Sequence, residues 1–231
     1  RSEAQAIISQ ASNDMRVQFA LRHKSDAREN ISQLDLVFGD DQILLFIPHV
    51  HKVEVLVDGK RKHLVEKDEE KWIVEDYSCL VSNELKEWVE KSIKGGERVP
   101  EKFKDINKVR MSFAVSKEGK RIVPVERARV YNYLPTELRL GFKFLFNADF
   151  IPDGSRSGLH NVKWNDYVME QCGDAFAKWW KSLLVEDDNG VTYDLESVFS
   201  ILPELTNSNN YGQLFLKGFF QSIKEIACIP V

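Results

Sequence analysis

Apolar and polar residues alternate through the first two thirds of the chain; three-and-four spacing takes over in the last third. Val17, Phe19 and Leu21 alternate with Arg16, Gln18 and Arg22, which predicts a half-buried strand over 15–23. Ser2–Ser9 ahead of it reads as a short helix. Arg28–Phe38 reads as another, with Ile31, Leu34 and Phe38 on one stripe and Asp26 as its N-cap. Ile43–Ile47 is an unbroken apolar run of buried-strand length. Val53, Val55 and Val57 alternate with Lys52, Glu54 and Leu56, Asp58-Gly59 marks a tight turn, and His63–Glu66 returns as the second arm of a hairpin. Lys71–Asp76 is a further strand. Ser82 caps a helix over Glu84–Ile93 whose inward residues are Leu85, Trp88 and Val89, and Gly95-Gly96 stops it.

Beyond Val99 the alternation sharpens. Val109, Met111, Phe113 and Val115 share one face of a strand over 108–115, and Glu118-Gly119 turns it into Arg121–Val125. Arg129–Leu134 is a third strand, broken by Pro135 and Thr136. Over 142–150, Phe142, Phe144, Phe146, Ala148 and Phe150 fall on one face, and Lys143, Leu145, Asn147 and Asp149 on the other. The loop IPDGSRSG follows. A helix from about Val162 to Leu184 then carries Trp164, Tyr167, Val168, Cys172, Ala175, Phe176, Trp179 and Leu183 at helical spacing. Leu195–Leu202, capped by Asp194, and Gln213–Ala227 are two closing helices. The order predicts an α+β fold, with antiparallel or mixed sheets and packed helices, because tight hairpins join only antiparallel strands.

Composition narrows the function classes. The 231 residues are 43% hydrophobic, with 14 Phe and 5 Trp, enough to bury a core without staples. A net charge of −4, from 32 basic and 36 acidic residues, argues against a nucleic-acid partner. Three dispersed cysteines without a CxxC pair fit a reducing, cytoplasmic compartment. No apolar run approaches the ~18 residues of a membrane span. The chain opens on neither a signal peptide nor an initiator Met, and so reads as an interior piece of something longer.

No P-loop, GxGxxG, GxSxG, HExxH or EF-hand pattern is present. His49-x-His51 with His63 has a spacing some metal sites use, but the neighbouring Lys52, Arg61 and Lys62 mark them as solvated histidines. Lys60-Arg61-Lys62 reads as a solvated hairpin tip. Trp179 and Trp180 stand ~100° apart on a helix, so one of them must face a second element or solvent. The loop 149–161 combines glycines, hydroxyls and Arg156 just before a long helix. Free N–H groups and the positive helix end suit an anion there, and a guanidinium adds a planar donor fork. A structural Arg156 would be pinned by Asp149 or Asp153; a catalytic one would be exposed and free to swing.

Leu134-Pro135-Thr136, Phe142-Lys143-Phe144, Ala148-Asp149-Phe150, Ser155-Arg156 and Trp164-Asn165 occur in that order over about fifty residues. This run resembles the middle domain of the heat-shock-protein-90 chaperones, and more closely that of sacsin-like ATPases of the GHKL superfamily. Upstream, Leu44-Leu45-Phe46-Ile47-Pro48 is similar to the junction after the family's ATPase domain, and Arg16–Leu21 to that domain's last strand. The resemblance implies three regions: 1–97, the end of the ATPase domain and its junction; 98–190, a transducer domain of split β-α-β type; and 191–231, a helical segment. It implies ATP and Mg as ligands of the longer parent, held by an N-terminal domain of the same chain, with none expected in this piece and a homodimer open as an assembly. It implies that Arg156 is the catalytic residue reaching the γ-phosphate, and that Ser155, Arg156 and His160 bind the cofactor. The chaperones have Glu after this Arg and Gln four residues after it; Ser157 and His160 stand here, which favours the sacsin-like branch. The rival reading is a scaffold with no nucleotide role, presenting Trp179, Trp180 and the Phe219-Phe220 helix to a partner.

Overall fold

Residues 6–8, 15–17, 41–57, 60–186, 190–204 and 209–225 are described by the computed structural model. They belong to two compact units: 1–44 with 50–67, and 45–49 with 68–231.

In the first unit β1 (Ala6–Ile8) pairs antiparallel with β2 (Met15–Val17). The helix read over Ser2–Ser9 is therefore not found: its described residues are β-branched Ile7-Ile8 and Ala6, and they bond to a strand. The helix expected over Arg28–Phe38 and the Asp58-Gly59 turn lie outside the described residues. β3 (Lys52–Val57) and β4 (Lys60–Glu66) form the expected hairpin, with an irregularity between Val55 and Leu56. The run Ile43–Ile47 is no strand. Asp41–Leu44 is a 3-10 turn and the next residues turn again, although Ile43 to Phe46 are all buried. A short apolar run specifies burial and leaves the element open.

In the second unit, β5 (Trp72–Leu80), β6 (Lys108–Glu118), β10 (Leu145–Ala148), β8 (Val130–Asn132) and β9 (Leu134–Pro135) lie in that order in one mixed sheet, and β7 (Arg121–Val123) pairs with the end of β6. β8 and β10 are parallel; the other pairs are antiparallel. This is the expected α+β class. The third strand predicted over Arg129–Leu134 is split: Tyr133 takes φ +60°, and Leu134-Pro135 folds back on Tyr131 and Asn132.

Helix α1 (Asn83–Lys94) starts where Ser82 Oγ accepts the Leu85 N–H and ends before Gly96 at φ +74°. Helix α2 (Lys163–Ser182) covers one face of the sheet. Phe113 stacks on Trp179 at 5.4 Å, and Phe144 on Phe176 at 4.2 Å. Helix α4 (Asn210–Glu225) adds Phe215, 4.6 Å from Phe142. Phe142, Phe144, Phe146 and Phe150 are all buried, as their alternation predicts. Leu145, Asn147 and Asp149, on the opposite face, are buried too, because β10 is central and the sheet's far side is also covered, with Phe46 against Tyr131 at 4.9 Å. Helices α2 and α4 cross backbone to backbone at Gly173 and Gly218. Both Trp179 and Trp180 are buried; Trp180 packs on Phe199 of helix α3 (Leu195–Phe199) and donates its Nε1–H to the Val198 carbonyl at 3.1 Å. The tryptophan pair is core, the more expected of its two roles, and does not form the partner face of the scaffold reading.

Candidate functional site

Four of the five motifs that carried the family resemblance, 134–136, 148–150, 155–156 and 164–165, meet at one end of the mixed sheet; Phe142-Lys143-Phe144 lies at the other end of β10, where the Lys143 carbonyl accepts the Val125 N–H. The corner is built around a backbone reversal. Tyr133 at φ +60° and Arg156 at φ +59° both occupy the left-handed region, which is costly for residues with a Cβ. Such strain persists only where the surroundings enforce it. Here the enforcement is visible. The Tyr133 N–H donates to Asn147 Oδ1 at 2.6 Å, and Asn132 Nδ2 donates to the Ala148 and Phe150 carbonyls at 3.2 and 3.0 Å. Thr136 Oγ1 donates to the Val130 carbonyl at 2.8 Å, closing the turn from the other side.

Arg156 sits across this reversal. Its Nη2 donates to the Asn132 and Leu134 carbonyls at 2.9 and 2.8 Å, and its Nε to the Pro135 carbonyl at 3.4 Å. In return its own carbonyl accepts the Glu137 N–H at 2.9 Å. The side chain is half-buried, and burial lowers its pKa. Neither sequence expectation holds as stated. Arg156 is not pinned by Asp149 or Asp153, and it is not an exposed arm. Three backbone carbonyls hold it, no carboxylate among the described residues neutralises it, and its Nη1 makes no protein hydrogen bond there.

The two aspartates serve the corner differently. Asp149 Oδ2 accepts the Arg110 N–H at 2.9 Å and lies 3.5 Å from Arg110 Nε; Asp149 Oδ1 accepts the Tyr133 hydroxyl at 3.1 Å. Asp153 shapes the loop. It accepts the N–H and hydroxyl of Ser155 at 3.1 and 3.0 Å, and those of Ser157 at 2.9 and 2.6 Å. These bonds, the Ser157 hydroxyl first, hold its carboxyl below the usual range. The Ser155 hydroxyl is thus engaged within the loop, on an exposed residue.

The Trp164-Asn165 pair ties the loop to α2. Trp164 Nε1 donates to the Asp149 carbonyl at 2.7 Å. Asn165, fully buried, accepts the Ile151 N–H at 2.8 Å and donates to the Ile151 and His160 carbonyls at 2.8 and 2.7 Å. The His160 carbonyl also accepts the Tyr211 hydroxyl of α4 at 2.9 Å. The His160 ring itself makes no hydrogen bond among the described residues. Asn132, Asn147 and Asn165 were given no role from sequence. Only Asn165 carried a signal, an amide on the apolar stripe of Val168, Met169 and Cys172, which demands internal partners.

Elsewhere, His49 and His51 are exposed and His63 lies within β4. Among the described residues, no three His, Cys, Asp or Glu side chains are grouped as a metal would require. No described helix is long and apolar enough to cross a membrane. Compared with known proteins, the chain matches no family model, no curated protein and no solved structure.

Proposed function

We propose that this chain is the transducer-type part of a larger sacsin-like ATPase of the GHKL superfamily, and that Arg156 contacts the γ-phosphate of ATP bound by a neighbouring domain. The observation that carries the reading is the state of Arg156: a half-buried guanidinium, un-neutralised among the described residues, fixed by three carbonyls with Nη1 left over. A cation held in place before its anion arrives loses little ordering on contact, and such preorganisation is the basis of electrostatic transition-state stabilisation. An arginine supplied from a second domain is a recurring device in phosphoryl transfer.

ATP and Mg belong, in this reading, to the neighbouring domain, where they supply the phosphoryl group and part of its charge neutralisation. What this chain contributes is positional. Asp153 and its serines fix the loop, Asn165 and Trp164 fix the loop to α2, and the Tyr133 reversal offers the carbonyls on which Arg156 rests. Ser155 and His160, implied beside Arg156 by the resemblance, enter as loop-shaping residues. Cytoplasmic placement is part of the same proposal. The test is a pair of measurements: ATP turnover by the full-length parent, and calorimetric titration of Mg-ATP into this chain alone. Turnover in the parent with no saturable heat here supports the reading. Robust binding by this chain, or an inert parent, overturns it.

A further inference from the structure

β5 is an edge strand, and its open side can be identified residue by residue. The Lys117 N–H donates to the Lys71 carbonyl at 2.7 Å, and the Val81 N–H to the Asn107 carbonyl at 3.0 Å. Both pairs continue the β5–β6 register, in which Ile73 faces Val115 and Cys79 faces Val109. Main-chain groups alternate sides along an antiparallel strand. The odd-numbered residues of β5 therefore bond to β6, and Val74, Asp76, Ser78 and Leu80 point theirs away. The Leu80 carbonyl confirms the parity, since it accepts the Tyr167 hydroxyl from α2 at 2.9 Å. No other described strand pairs with this side. The same four residues carry exposed side chains, Val74 at 41% and Leu80 at 70%.

We propose that this edge joins the β5 edge of a second copy, antiparallel about a two-fold axis at Tyr77, making one sheet across two chains. The acids select that register. An axis at Asp76 sets Asp76 against its own copy, and an axis at Glu75 does the same to Glu75; like charges directly opposite are destabilising. Axes at Val74 or Ser78 pair only the ends of the strand, the first using the Trp72 N–H already given to Asp68. The axis at Tyr77 pairs Val74 with Leu80 of the second copy, Asp76 with Ser78, and Glu75 with Cys79. The two large exposed apolar side chains of the edge then cover each other, and each Asp76 meets a hydroxyl. A strand pair of this length buries less than a standard interface of ~1,600 Å², so the dimer is weak and concentration-dependent.

The parity also supplies the test. Ser78→Pro removes an N–H only from the open side and leaves the β6 ladder intact; an edge strand tolerates proline there. Val74→Lys puts a charge against Leu80 and alters no main-chain group. Sedimentation velocity over a micromolar-to-hundred-micromolar range should show the chain moving from monomer to dimer. Ser78→Ala should behave the same, and Ser78→Pro and Val74→Lys should stay monomeric at every concentration with melting temperatures near that of the parent sequence. Should Ser78→Pro fail to fold, Val74→Lys decides. A wild-type chain that remains monomeric throughout overturns the proposal, and so does a dimer that Val74→Lys leaves intact.

Discussion

Gly173→Ala should destabilise this protein although it replaces glycine with the best helix former. Gly173 lies inside α2, where the swap alone is worth about 1 kcal/mol in favour of alanine. A Cβ at Gly173, however, falls inside the van der Waals envelope of the Phe215 carbonyl oxygen and 2.7 Å from the Phe219 nitrogen. Both obstacles are backbone of α4 and cannot rotate aside. The helices must part by roughly 1 Å, and a gap of that size forfeits a quarter to a half of each dispersion contact it opens. The contacts at stake are large: Phe176 meets Phe215 at 5.5 Å and Phe219 at 5.7 Å across this seam. Overpacking of this kind costs ~1–3 kcal/mol, and main-chain obstruction puts this case at the upper end. Net of propensity, a loss of about 2 kcal/mol is expected, or roughly 4–8 °C in melting temperature for a chain of this size. Urea and thermal unfolding of the pair would measure it. Gly218→Ala strikes the Glu170 carbonyl of α2 from the other side. The double variant should therefore lose less than the sum of the singles, because one separation relieves both. Unchanged or raised stability in Gly173→Ala would refute the close-crossing geometry.

Phe144→Ala, in the most crowded part of the aromatic core, should cost ~3–5 kcal/mol in urea unfolding. Asn165→Ala leaves the buried Ile151 N–H without its partner and takes one of the donors from each of the Ile151 and His160 carbonyls, and should cost about 1–3 kcal/mol with faster hydrogen exchange at Ile151. Burial pushes the Tyr167 hydroxyl up to about 12 from an ordinary value near 10. The unfolded chain thus loses its proton first, so stability holds below about pH 10 and falls as pH rises toward 12. Tyr167→Phe should flatten part of that fall in pH-dependent melting, and an identical slope would remove Tyr167 as its source.

The sequence showed burial better than it showed shape. The alternation of Val109 to Val115 and the Ser82 cap each have one physical solution, and the structure adopts it. Ile43–Phe46 is buried, yet nothing in an apolar run distinguishes a turn from a strand. The Tyr133 reversal was invisible because tyrosine rarely takes positive φ, and the groups that enforce it, Asn147 and Asn132, come from elsewhere in the chain or act on β10. Arg156 was legible as a residue and not as a geometry. Its partners are main-chain carbonyls of a distant turn, which no side-chain pattern encodes.

That geometry shapes the decisive experiment. Arg156→Ala removes three hydrogen bonds at a half-buried rim, so a stability loss of ~1–3 kcal/mol is expected, more than for an ordinary surface site. Stability alone therefore cannot separate an anchor from a catalytic arginine, and Arg156→Lys supplies the contrast, since it keeps the charge and loses the planar fork. The measurement is ATP turnover by the full-length parent carrying Arg156→Ala or Arg156→Lys, at a temperature where melting curves show each variant fully folded. A fall of ~10³-fold or more in Arg156→Ala, poorly rescued by Lys, is the predicted result; folded variants that turn over ATP at the parent rate would contradict it.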